Sequence, residues 1–166
     1  MKVQAQKLID ILNKQLIANK SLLAVAEQKT EVIKQNDISE LNEILKSEQK
    51  HIALINQLES QRRAETVQLL SGQLMSGQEE PVLSDVMAVV SGSVQEQLKS
   101  LQRELVTCIQ HLKERNDLNQ QILYQSMQLV NLTLDLIQPR PQTFNYERPQ
   151  KQTNGAKIRS VFNSKI

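Results

Sequence analysis

Apolar residues recur along this chain at helical spacing, in three long blocks separated by short breaks. In the first block, Val3 to Gln35, a four–three alternation runs Ala5, Ile9, Leu12, Leu16, Asn19, Leu23, Ala26, Thr30, Ile33, the mark of one helical face. Leu8, Leu22 and Val25 widen the stripe, which suits a helix facing two neighbours better than a two-stranded coiled coil. Gln35-Asn36-Asp37 breaks the pattern. Asp37, with Glu40 three residues later, predicts an N-cap and a capping box. The second seam reads Ile38, Leu41, Leu45, Glu48, Ile52 and Ile55, with Ile44, Leu54 and Leu58 beside it, and fades near Leu70. So short a connection predicts an antiparallel hairpin, with arms of about 33 residues, or ~50 Å, each.

From Ser71 to Gly92 the turn signals Ser71-Gly72, Ser76-Gly77, Pro81 and Ser91-Gly92 mark a connector. Within it Ser84-Asp85 is placed to cap a short helix through Val90. The third block is the most regular. From Val94 its register holds through Leu98, Leu101, Leu105, Cys108, Leu112, Arg115, Asn119, Ile122, Ser126, Leu129, Thr133 and Leu136. That is about 44 residues, or ~66 Å, before Gln138-Pro139 stops it. The fold expected is all-α: an elongated antiparallel bundle of three long helices (about 3–35, 38–70 and 93–137) with a short connector helix. The bundle forms one domain over 1–138, followed by a flexible basic tail over 139–166.

Composition sharpens this picture. Only 2% of residues are aromatic and Trp is absent, as expected of helices zipped along narrow aliphatic seams. The first residues lack the pattern of a signal peptide, and no run approaches the roughly 20 apolar residues of a membrane span. Cys108 is the single cysteine, and on an apolar seam it reads as a small buried hydrophobe. These features predict a cytoplasmic protein. The tail carries Arg140, Arg148, Lys151, Lys157, Arg159 and Lys165 against Glu147, a net +5, which leaves −3 for Met1–Ile137 of a chain whose total is +2. It also holds Phe144, Tyr146 and Phe162, three of the four aromatic residues.

The residues offer no catalytic constellation. His51 and His111 fall on different helices without a second ligand at metal spacing, and no phosphate loop, nucleophile elbow or zinc-protease motif occurs. A non-enzyme without cofactor or metal is expected. Glu48 reads as a buried or bridged charge, and Glu59 with Arg62 and Arg63 as ordinary surface pairs. The basic residues are too scattered for a nucleic-acid partner. Function is expected instead from a length mismatch. Arms of ~50 Å leave ~16 Å of the third helix uncovered, and if that helix starts level with the hairpin's open end, the overhang is Met127 to Ile137. Met127, Leu129, Val130, Leu132, Leu134, Leu136 and Ile137 occupy nearly every face there, so something must cover them. Either the Ser84–Val90 segment folds over them or a partner does.

Two runs and the order of parts carry a family resemblance. One run is Leu41…Leu45…Glu48…Ile52…Leu58-Glu59…Arg62, and the other is Asn119-Gln120-Gln121-Ile122-Leu123. With a helix hairpin, a connector, a long helix and a polar tail holding a tyrosine, the chain resembles the FlgN family of flagellar type III export chaperones. The resemblance implies a chaperone, monomeric or weakly dimeric, that binds the C-terminal amphipathic helices of hook–filament junction proteins. It would prevent their premature assembly and deliver them to the membrane export gate, meeting the membrane only through the export apparatus. Client binding is then expected at Ile122, Leu123, Met127, Leu129, Val130, Leu132, Leu134 and Ile137. Docking on the export gate protein FlhA is expected at Phe144 and Tyr146, although Tyr146 is followed here by Glu147-Arg148 in place of the family's glycine. The competing reading is a scaffold or adaptor that self-associates through its seams, with Asn19, Arg115 and Asn119 setting register.

Overall fold

A computed structural model of the chain describes residues 2–71 and 81–138. It contains helices α1 (Lys2–Gln35), α2 (Ile38–Leu70), α3 (Leu83–Val89) and α4 (Ser93–Ile137), and among the described residues there is no strand. The expected tail, with Phe144 and Tyr146, lies outside the described residues.

The turn between α1 and α2 forms because Asn36 accepts a left-handed conformation (φ 56°). The Asp37 amide then donates to the Val32 carbonyl and the Asn36 amide to the Ile33 carbonyl. This pairing satisfies the last carbonyls of a helix and ends it abruptly. Asp37 begins α2 as expected, its Oδ1 accepting from the Glu40 amide at 2.9 Å. The other half of the expected capping box does not form, because the Glu40 carboxylate accepts from Gln28 on α1 instead. The connector helix starts one residue early, and Asp85 caps it by accepting from the Val82 amide at 2.8 Å. Gly92 supplies the positive φ of 69° at which α4 begins.

Residue pairing fixes the directions. Gln15 meets Glu59, Ser21 meets His51 and Lys29 meets Glu48, so α2 runs antiparallel to α1. Lys20 meets Glu104, Glu27 meets Arg115 and Thr30 meets Asn119, so α4 runs parallel to α1. The expected bundle of three long helices is met in part. Both long helices pack on α1, and no α-carbons of α2 and α4 come within 8 Å of each other. The widened stripe of α1 serves two neighbours that barely meet.

The core lies at the open end of the hairpin. Leu8, Leu12, Leu98 and Val86 are all but fully buried there, with Leu69 and Leu70 closing in from α2. Helix α3 seals this end, and Gln95 of α4 donates to the Met87 carbonyl at 2.7 Å. Full burial of each such aliphatic side chain stabilises the fold by about 1.5–3 kcal/mol.

Candidate functional site

Further along α4 the same seam continues, but its partner ends. A buried polar pair fixes where. The Thr30 hydroxyl donates to Asn119 Oδ1 at 2.6 Å, and Asn119 Nδ2 donates to the Ala26 carbonyl at 2.8 Å. Asn119 is 2% exposed, so a shift of α4 along α1 would strand buried polar groups. With this register set and α1 stopped at Gln35, about eleven residues of α4 project past the tip, ~16 Å at 1.5 Å per residue.

Helix α3 lies against the opposite end, so it does not cover the overhang. Met127 is 64% exposed and Leu134 is 54% exposed. Of the expected client-binding residues, Ile122 and Leu123 are half-buried, and Met127, Leu129, Val130, Leu132, Leu134 and Ile137 are exposed. They divide into two rows. Leu123, Met127, Val130, Leu134 and Ile137 recur every three or four residues and extend the face that buries Leu98 and Leu105. Ile122, Leu129 and Leu132, joined by Leu136, lie roughly 130° round the helix at 100° per residue.

Leu123, Met127 and Val130 of the first row form one wall of an apolar groove of about 270 Å³, and Leu134 and Ile137 continue that row beyond it. Val32 and Ile33 from the end of α1, with Ile38 and Leu41 from the start of α2, form the other wall, and Asn36, Asp37, Ser126 and Asn131 give it polar edges. Sequence reasoning missed this second wall. Its signal was the apolar register running up to Ile33 and resuming at Ile38, across a turn too short to separate them.

A second groove of about 300 Å³ runs between α2 and α4. Leu12, Gln15 and Asn19 of α1 form its floor, and Ile55, Val106 and Ile109 stand at its sides. Glu59 crosses it. Arg62 grips both Glu59 oxygens at 2.7 and 2.8 Å, Arg63 reaches one at 3.0 Å, and Gln15 Nε2 donates to Oε2 at 3.1 Å. The Arg62 hydrogen bond, with those from Arg63 and Gln15, outweighs desolvation and lowers the Glu59 pKa to about 2. The expected surface pairs are thus a partly buried network joining α2 to α1. Glu48 is bridged, to Lys29 at 2.8 Å. Cys108 is buried on the α4 seam, and burial pushes its thiol pKa up.

His51 is held between the Ser21 hydroxyl and the Ser47 carbonyl, both at 2.8 Å. His111 lies beside Leu23, Glu27 and Arg115 on a separate surface. Among the described residues no three His, Cys, Asp or Glu side chains group as metal ligands, and no helix is long and apolar enough to cross a membrane. The arrangement offers apolar grooves with hydrogen-bonding edges, suited to holding a helix.

The model of the FlgN protein family matches residues 1–154. The chain is 31% identical over 149 residues to Uncharacterized protein YvyG of Bacillus subtilis (strain 168), an alignment covering 90% of each chain. No solved structure matches.

Proposed function

The chain belongs to the FlgN protein family, whose members are flagellar export chaperones, and from that premise we propose that it binds the C-terminal amphipathic helices of hook–filament junction proteins at the overhang of α4. The observation that carries this reading is the row Leu123, Met127, Val130, Leu134, which extends the core seam beyond the end of α1 into solvent. A client helix with anchors at i, i+3, i+4 and i+7 fits the place that α1 vacates and takes over its packing role. Ile122, Leu129 and Leu132, on the other row, extend the contact if the client wraps the overhang.

Each anchor contributes about 1.5–3 kcal/mol on full burial. Ordering a client that is unfolded when free offsets about 2–5 kcal/mol of the total. The balance favours moderate affinity, which suits a carrier that must release its load. Covering the client's apolar stripe prevents its premature assembly. Delivery to the export gate protein FlhA is assigned to the tail, through Phe144 and Tyr146.

Calorimetric titration with the C-terminal helical segment of a hook-associated protein tests the reading. Saturable binding at micromolar or tighter Kd is expected, lost in Leu134→Asp while the far-ultraviolet helix signal stays. Absence of binding by a chain that elutes as a stable oligomer would favour the self-associating scaffold. Deleting Phe144–Ile166 is expected to leave client binding intact and to lower secretion; loss of binding would place the tail within the client site.

A further inference from the structure

We propose that the last eleven residues of this chain, Ala156–Ile166, seat as a basic amphipathic helix in the groove at the hairpin tip and hold it until a client displaces them. Their role as a placeholder rests on the client-binding reading above; the contact itself does not.

The segment has the pattern the groove takes. Ile158, Val161, Phe162 and Ile166 fall at i, i+3, i+4 and i+8, the spacing of a helix laid into a hydrophobic groove. Lys157 and Arg159 flank that stripe on a helical wheel, and Lys165 falls within it between Val161 and Phe162. The segment carries three bases and no acid. The groove region is complementary. Asp37 lines it, Glu40 follows one turn into α2, and Asp135 lies beside Leu134. None of these three acids forms a salt bridge among the described residues, whereas Glu31 and Glu43 are already paired with Lys34 and Lys46.

The tether has the right length. About 18 residues separate Gln138 from Ala156, a coil of roughly 23 Å end to end and ~60 Å at full stretch. The α4 wall of the groove runs from Leu123 to Asn131, and the stretch of helix from Leu123 to Gln138, where the tether starts, is ~22 Å long. A tether whose mean length matches the span gives an effective concentration of order 1 mM. A short helix binding with a Kd of order 0.1 mM is then seated about nine-tenths of the time.

Amide hydrogen exchange on the full chain tests the proposal. Phe162→Asp is expected to speed exchange across Met127–Ile137 about tenfold and to leave Leu98–Leu105 unchanged. The charge-reversed chain Lys157→Glu/Arg159→Glu is expected to lose the same protection. Identical rates in the unaltered chain and both variants would overturn the proposal. So would protection that fades on tenfold dilution, which would assign the groove to a second copy of the chain. In the client titration, Phe162→Asp is expected to bind about tenfold tighter. If no client binds but the exchange difference persists, the tail contact stands and the chaperone reading falls. If the client binds all three chains equally and their rates agree, the chaperone reading stands and the placeholder falls.

Discussion

The two ends of this molecule use the same helical seam to opposite effect. At the open end Leu98 meets Leu8, Leu12 and Val86 and is fully buried. At the tip Leu134, at the same position on the helical wheel, is 54% exposed. The 36 residues between them make ten full turns, so the two share one face of α4, on which Asn116 and Asn119 are the polar breaks. The difference comes from the neighbours. Helix α3 closes one end, and the left-handed Asn36 terminates α1 at the other. A seam therefore becomes core or binding surface according to where its partner stops.

The largest test of this contrast is stability. Leu98→Ala is expected to cost about 2–5 kcal/mol through lost burial and a residual cavity, whereas Leu134→Ala should stay within about 0.5 kcal/mol. Denaturant midpoints measure both, and equal losses would mean that the tip is packed in solution. Next comes the pair that sets the overhang's length. Asn119→Ala is expected to cost about 1–3 kcal/mol, because Thr30 loses its 2.6 Å acceptor and keeps only the 3.2 Å bond to the Ala26 carbonyl, and the buried amide's own bond to that carbonyl goes as well. In that variant exchange should also quicken along α4 near residue 119, and undiminished protection there would deny the pair a role in register.

The smallest effect concerns the network between α1 and α2. Glu59 has its pKa lowered from 4.5 to about 2 in the folded chain. Its contribution is therefore fully present above pH 4.5 and is lost as pH falls towards 2. Because the carboxylate is about one-third exposed, screening leaves about 1 kcal/mol. Glu59→Gln should thus be less stable than the parent by that amount at pH 7 and indistinguishable from it near pH 2. A difference that does not change with pH would point to packing instead of charge.

Much of the fold was legible because local signals act alone. The Asp37 cap and the stop before Pro139 each depend on residues within one turn, and the structure starts α2 after Asp37 and ends α4 at Ile137. What was not legible depends on residues far apart in the chain. The docking of α4 on α1, away from α2, was hinted at only by the broad stripe around Leu8 and Leu22. The reach of Glu59 to Gln15 could not be read from α2, since Gln15 lies 44 positions away. The site was half legible for the same reason. The α4 wall follows from periodicity and a length mismatch, but the wall of Val32, Ile33, Ile38 and Leu41 exists only once the turn has folded. The residues behind the family resemblance turn out to be joints: Glu48 to Lys29, Glu59 to Gln15 and Asn119 to Ala26 each tie a helix to α1.

The position of α1 between two helices whose backbones stay apart also bears on synthesis. Once α2 has left the ribosome, one flank of α1 is covered, but the flank carrying Ala26 and Thr30 waits for Asn119. Roughly fifty more residues must be translated first, about 2–10 s at bacterial speeds. During that interval the nascent hairpin presents an uncovered stripe that other nascent or unassembled helices can reach. Its completion therefore depends on α4 arriving before a competitor does, and rare codons between Ser71 and Asn119 would lengthen that exposure.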